Sequence, residues 1–267
     1  MDLPGFVDIH THVLPGIDDG ASSVEEAVAM LALARHHGTS ALVASPHASP
    51  AFPFDAARAE ALLAQLRQLA PPGIRLIRGC DFHLTFNNVE SALRSPSDFA
   101  IDGRCWLLME LSELTVFSNT GALWARMQEA GLRIIVTHPE RNALLRQRFD
   151  VIEEWVAGGR LMQLTAGSLL GDFGREAQQF SLRLLDAGLA HFVASDAHDL
   201  EARPPRLDLA FDWLAAHYSP EYALKLCVEH PQAVVEGQPI DLSSFHPPAR
   251  TRRASWWRRL WPLPRKR

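Results

Sequence analysis

This chain has no glycine-rich nucleotide loop. Neither G-x-G-x-x-G nor G-x-x-x-x-G-K-[ST] occurs in it, which removes the main support for a dinucleotide- or P-loop-binding open sheet. Cysteine is scarce as well. Cys80, Cys105 and Cys227 are odd in number, widely spaced and free of any C-x-x-C pair, so no disulfide framework is expected. Residues Met1 to Asp8 lack a basic segment followed by an apolar stretch, the pattern of a secretory leader. No apolar run approaches the roughly 20 residues that span a bilayer. Gly/Ser linkers, low-complexity runs and repeats are missing before residue 247. A reducing, cytoplasmic setting follows as the expectation.

What is present is a chain of 267 residues, 47% of them hydrophobic. That is enough for one large core, and α/β barrels of about 250 residues are commonly one domain. Charge is uneven. The whole chain carries −5, and residues 249–267 hold eight basic and no acidic side chains, so residues 1–248 carry −13. An acidic body argues against nucleic acid as a partner. The composition step divides the chain into a body, 1–248, and a basic tail, 249–267, that interleaves Trp256, Trp257 and Trp261 with arginines.

Seven short apolar runs read as buried parallel strands: Phe6–Ile9, Ala41–Ala44, Arg75–Arg78, Trp106–Met109, Ile134–Val136, Leu161–Leu164 and Phe192–Ala194. They are too short for helices and rich in Val, Ile and Leu. Helix-like stretches separate most of them. Ser23-Val24-Glu25-Glu26 has the form of a capping box opening a helix to about His37. Further helices are expected over Asp55–Ala70, Gly121–Ala130, Phe149–Ala157, Gly174–Ala187, Leu207–His217 and Pro220–His230. Alternating strands and helices predict an α/β fold with a parallel sheet. Polar groups after nearly every strand favour a barrel, which gathers its strand C-termini at one mouth, over an open sheet with one switch point.

Those polar groups carry the chemistry. His10-Thr11-His12, Asp18-Asp19, His47, Asp81, Glu110, His138 and Asp196-Ala197-His198 are metal-binding types in short clusters. In extended backbone, residues i and i+2 share a face, so His10 with His12 and Asp196 with His198 form natural pairs for one cation. Carboxylates closing apolar runs, such as Glu110, are costly to bury unless paired or metal-bound. The alternative is ordinary polar capping of strand ends, which explains a single member more easily than the whole set.

Asp8-Ile9-His10-Thr11-His12, Gly16-Ile17-Asp18-Asp19-Gly20, Ser45-Pro46-His47, His138-Pro139-Glu140-Arg141 and Ser195-Asp196-Ala197-His198, with Arg203-Pro204-Pro205 following, resemble the polymerase-and-histidinol-phosphatase (PHP) superfamily. The nearest likeness is to its metal-dependent protein-tyrosine phosphatases from bacterial capsule and exopolysaccharide operons. It covers about residues 6 to 240, including the run Glu229 to Gly237.

The resemblance implies a distorted seven-stranded TIM-like barrel with three divalent ions at its C-terminal mouth. Manganese is expected, with iron or zinc as alternatives. It assigns metal contacts to His10, His12, Asp19, His47, Glu110, His138, Asp196 and His198, and phosphate contacts to Arg141 and Arg203. Where the family has Gly-x-Glu, this chain has Gly79-Cys80-Asp81. Aspartate is one methylene shorter, so with Asp81 as the expected ligand either the backbone moves in, a water bridges or one metal is weakly held; His83 is the candidate substitute.

The activity implied is hydrolysis of phosphotyrosine on a bacterial tyrosine kinase of polysaccharide assembly. Cysteine-based phosphatases are excluded, since an arginine should follow the nucleophile by six residues and Phe86, Leu111 and Ala233 stand there. A histidinol-phosphate-like phosphatase and a non-catalytic phosphotyrosine-binding regulator remain as alternatives. The Trp- and Arg-rich tail is expected to touch anionic lipid at the inner face of the membrane.

Overall fold

The computed structural model describes residues 5–112, 120–243 and 245–251. Within them nine strands alternate with helices: β1 (Phe6–Thr11), β2 (Thr39–Ala44), β3 (His47–Ala48), β4 (Arg75–Arg78), β5 (Asp81–His83), β6 (Trp106–Glu110), β7 (Arg133–Thr137), β8 (Leu161–Thr165) and β9 (Phe192–Ala194). Every pairing is parallel. Hydrogen bonding divides the strands into a three-stranded sheet, β1-β2-β4, and a six-stranded one, β3-β5-β6-β7-β8-β9. The expected parallel α/β fold is therefore present. A single closed seven-stranded sheet is not what the ladders draw among the described residues.

The division comes from two interruptions. Pro46 has no N–H to give a ladder, and the Ser45 hydroxyl accepts from Thr11 N–H at 3.0 Å; β2 stops at Ala44 and β3 begins at His47. Gly79-Cys80, where a Cβ on residue 79 would fall 2.6 Å from Val43 Cγ1, separates β4 from β5. Backbone bonds cross both gaps: Ser45 N–H to Thr11 O, Gly79 N–H to Ala44 O and Asp81 N–H to Pro46 O. At the other edge, Asp196 N–H donates to His10 O, His12 N–H donates to Ala197 O, and a bridge pairs Thr11 with Ala197. One buried apolar cluster draws Val7 and Ile9, Val43, Ile77, Leu108, Ile135, Leu161 and Phe192 from strands of both sheets. Strand alternation then sets polar side chains above that floor: Glu110 follows Leu108, Thr137 follows Ile135, and Gln163 follows Leu161.

Helices cover the outer faces where their sequences predict. Ser23 caps the helix Val24–His36, accepting from Glu26 N–H, but the Glu26 carboxylate turns to the backbone and hydroxyl of Ser22, so the reciprocal half of the expected capping box is displaced by one residue. Asp55 caps Ala56–Leu69. Thr120–Glu129, Phe149–Ala157, Gly174–Asp186 and Leu207–His217 follow. The last predicted helix begins at Pro220, passes through a π turn at Lys225–Glu229 and continues to Val235; Pro231 lacks the N–H that an unbroken i−4 ladder needs. Short helices at Pro96–Phe99, Ala143–Arg146 and Ala166–Leu170 span too few turns to show a period, whereas Phe86–Arg94 repeats its apolar residues at Phe86, Val89, Ala92 and Leu93 and is not among the expected helices. Among the described residues no helix is long and apolar enough to cross a membrane.

The C-terminal strap lies on the body. Phe245 packs against His191, Tyr222 and His230. Arg250 pairs with Asp186 at 2.9 Å, and Thr251 N–H donates to His217 O at 2.8 Å. The composition boundary at residue 249 thus precedes the last pinned residue by two positions. Residues 252–267, with Trp256, Trp257 and Trp261, lie outside the described residues.

Candidate metal centre

The nine expected imidazole and carboxylate groups meet. Their donor atoms form four overlapping groups within 4.8 Å: His12, Asp19, His47 and His198; His10, Asp81 and His138; His10, His12 and Asp196; His47, Asp81 and Glu110. His10, His12, His47 and Asp81 each belong to two groups, so the four join in a ring. Each donor stands at or just past a strand end. His10 lies in β1 and His12 beyond it; His47 and Asp81 open β3 and β5 side by side in register; Glu110 ends β6; His138, Asp196 and His198 follow β7 and β9. Asp19 arrives from the loop between β1 and the first helix. The floor is dry, with His10, His12 and Asp81 fully buried, and the lip is open, with the Asp19 side chain 51% exposed.

Hydrogen bonds aim His10 and His12. Asp18 accepts from His12 Nδ1–H at 2.7 Å, and Gln163 Oε1 accepts from His10 Nδ1–H at 2.9 Å. With each Nδ1 committed, the two Nε2 atoms face one another at 3.2 Å, and each lies 3.4 Å from Asp196 Oδ1. Two imidazole nitrogens and a carboxylate oxygen converging on one point suit a cation, which would displace the proton that His12 otherwise carries there. The same fit appears beside it. His47 Nδ1 and Asp81 Oδ2 lie 3.1 Å apart at angles outside those of a hydrogen bond, and both are buried without a hydrogen-bond partner. Orphaned buried groups of this kind cost free energy unless something unseen satisfies them. Carboxylate and imidazole donors without thiolate match hard to borderline divalent cations.

The electrostatics agree. Burial pulls the His12 imidazole down, but hydrogen bonds it donates to Asp18 and Asp196 outweigh it and lift it to about 10. Its neighbours move the other way. Burial, reinforced by Arg141, takes His138 down to about 4; burial and His12 take His198 down to about 3. Both present neutral rings at neutral pH. Asp196 is held well below the usual carboxylate range, against its burial, by His10 and His12. Backbone strain accompanies this. His138 and Asp196 have φ of 35° and 53°, a left-handed region costing of order 1–3 kcal/mol at a non-glycine residue.

Asp81 reaches the centre despite its shorter side chain, and Thr137 Oγ1 donates to its Oδ1 at 3.3 Å. His83, the expected substitute, stands 3.3 Å from Glu110 Oε2 but belongs to none of the four groups. Arg141 and Arg203 both donate to Asp196 Oδ2, which brings two guanidiniums to one edge of the cluster. The remaining histidines (His36, His37, His191, His217, His230, His246) lie outside the groups.

Sequence reasoning missed four contributors. Asp18 was grouped with Asp19 as a ligand type, yet its carboxylate also accepts from Gly20 N–H and His47 N–H and serves to orient. Gln163 and Phe173 were not singled out. Glu140 is buried, accepts from Thr165 N–H at 2.9 Å, and is pushed up to about 7 by burial. A histidine ligand commonly gives its second N–H to a carboxylate or carbonyl, so a search for a carboxylate near the H-x-H would have found Asp18.

A family described as capsular polysaccharide synthesis, CpsB/CapC, matches residues 6–236. CapC of Staphylococcus aureus is 34% identical over 211 residues, 78% of this chain and 82% of that protein. The tyrosine-protein phosphatase YwqE of Bacillus subtilis is 32% identical over 205 residues, 74% of this chain and 79% of that one. A solved structure from work on YwqE and on CpsB of Streptococcus pneumoniae, described as unique metal-dependent tyrosine phosphatases, superposes with a TM-score of 0.80 at 27% identity, covering 92% of this chain and 100% of the other.

Proposed function

Because the chain belongs to the CpsB/CapC family of capsular polysaccharide synthesis, we propose that it is a metal-dependent phosphatase that hydrolyses phosphotyrosine on a protein. The observation that carries this is the ring of four overlapping donor groups with two guanidiniums at its edge. His10, His12, Asp19, His47, Asp81, Glu110, His138, Asp196 and His198 hold three divalent cations, manganese by preference. Such cations lower the pKa of water and offset charge on a phosphoryl group. Asp18 and Gln163 keep His12 and His10 turned toward the centre. Arg141 and Arg203 hold the phosphate oxygens, for which a planar guanidinium offers paired donors. A tyrosine phenolate, with a parent pKa of about 10, departs with little acid assistance.

The architecture that gathers these residues is a distorted seven-stranded barrel. Its support is that β2 with β3 and β4 with β5 each continue one path, and that the Thr11–Ala197 bridge sets β9 beside β1. The substrate is a tyrosine kinase that governs polysaccharide assembly, and the basic, Trp-bearing tail brings the enzyme to anionic lipid at the cytoplasmic face. The test pairs elemental analysis with turnover of a phosphotyrosyl peptide and of histidinol phosphate, in wild type and His10→Ala. Close to three equivalents of metal, preference for the peptide and loss of both in the variant are expected. Preference for histidinol phosphate, or full metal content without hydrolysis, rejects the proposal.

A further inference from the structure

Two arginines placed side by side repel, and something must hold them together at the lip. Asp196 does so from the cluster side. On the other side both lie over the same ring: Arg141 Cζ is 4.4 Å and Arg203 Cζ is 5.6 Å from the centroid of Phe173. A cation over an aromatic face is attracted by the ring quadrupole, by about 0.5–1 kcal/mol at exposed sites and 2 or more when desolvated. The two guanidiniums come from different places, one after β7 and one after β9. Phe173 comes from a third, between β8 and the helix Gly174–Asp186.

The ring is itself seated with care. Phe173 stands immediately before that helix, and Gly171 and Gly174 flank it with φ of +96° and +86°, a region that side chains other than glycine rarely adopt. Beneath it, a Cβ on Gly167 would come within 3.0 Å of Phe173 Cε2, so the ring edge rests where only glycine leaves room. Arg203 Nε is buried without a hydrogen-bond partner; the ring face and Asp196 are what fix that side chain.

We propose that Phe173 is the positioning residue of the phosphate clamp, an aromatic platform that keeps the Arg141 and Arg203 guanidiniums close enough together to grip one phosphoryl group. The inference rests on the reading of those arginines as phosphate holders. Asp196 offers Oδ1 to the centre and Oδ2 to both guanidiniums; the ring supplies the second hold on the pair. Phe173 touches no reacting atom. Its loss therefore weakens binding of the phosphate in ground and transition states alike, which raises KM and leaves kcat near its original value.

The test uses the metal-loaded full chain with Phe173→Leu, which keeps apolar bulk and removes the ring face, and Phe173→Tyr, which keeps the face. Kinetics with p-nitrophenyl phosphate are paired with calorimetric binding of inorganic phosphate and with metal content. For the leucine variant the expected result is a rise of about tenfold in both KM and the phosphate Kd, kcat within about twofold, and unchanged metal. The tyrosine variant should restore wild-type values. A leucine variant that binds phosphate like wild type, or that loses kcat at constant KM, overturns the inference, as does a tyrosine variant as defective as leucine. If the leucine variant does not fold, Gly167→Ala decides, since its methyl presses on the same ring; phosphate binding unchanged there overturns the inference too. Phosphate binding that depends on Phe173 in a protein without hydrolytic activity supports the platform and rejects the phosphatase reading. Hydrolysis indifferent to Phe173 does the reverse.

Discussion

Replacing Gly20 by alanine should dismantle the centre without touching a ligand. A Cβ built there would fall 1.9 Å from His12 O and 2.5 Å from His12 Cβ. Non-bonded heavy atoms settle at about 3.5–4.0 Å, so the loop and β1 must part by more than about 1 Å. Neither is free to move. Ala21 N–H donates to that same His12 O at 3.0 Å, Gly20 N–H donates to Asp18, and Asp18 in turn holds the His12 ring. The displacement thus reaches His12, Asp18 and Asp19 together. Metal–ligand distances hold to about ±0.2 Å, and a misplacement of about 1 Å costs on the order of 100-fold in rate. Elemental analysis of Gly20→Ala should show at least one equivalent of metal lost, and kcat/KM for p-nitrophenyl phosphate should fall about 100-fold at saturating metal. Gly121→Ala is the control. Nothing lies within 4 Å of its Cβ, so it should raise stability by about 0.4–1 kcal/mol and leave activity alone. A Gly20→Ala protein with full metal content and kcat/KM within about twofold of wild type would refute the reasoning.

Three further outcomes are expected. Asp18→Asn keeps one acceptor but turns an NH2 toward a backbone donor at Gly20 or at His47, and should weaken metal affinity about 10- to 100-fold; chelator competition checks it, and an unchanged affinity contradicts the orienting role. Metal affinity should also fall with pH. The proton and the cation compete for His12, lifted to about 10, and for His47, which Asp81 raises against its burial, while His138 and His198 are already neutral; at least one proton should leave on loading, giving a loss of about tenfold or more per pH unit between 7.5 and 6.5, and a flat profile would count against the pairing. Truncation after Thr251, which spares the pinned strap, should abolish co-sedimentation with anionic vesicles and leave hydrolysis unchanged; undiminished sedimentation rejects the lipid contact.

The seven strands other than β3 and β5 were legible because each is an apolar run bounded by polar residues, and the donors were legible because histidine and carboxylate rarely crowd strand ends without cause. What escaped is physically intelligible. β3 and β5 have two and three residues and consist largely of site residues, so no apolar pattern marks them. The helix Phe86–Arg94 carries both a cap at Thr85 and apolar residues at helical spacing, Phe86, Val89, Ala92 and Leu93, so it was legible and was overlooked. Gln163, Glu140 and Phe173 belong to types with many ordinary uses, and only their contacts reveal the part they play. Asp81 shows the converse. Its shorter side chain predicted a gap, but pairing of β3 with β5 brings its backbone beside that of His47, and the carboxylate arrives.

Thr251 is the last described residue, and the places that fasten it set a direction. Asp186, which holds Arg250, ends the helix Gly174–Asp186; His217, which holds Thr251, ends the helix Leu207–His217. Both helices start close behind the guanidinium pair and run away from it, at about 1.5 Å per residue. The chain therefore departs from the rear of the molecule, some 15–20 Å behind the arginines by that rise. A probe fixed at Thr251 would therefore sit opposite the opening, clear of whatever binds there.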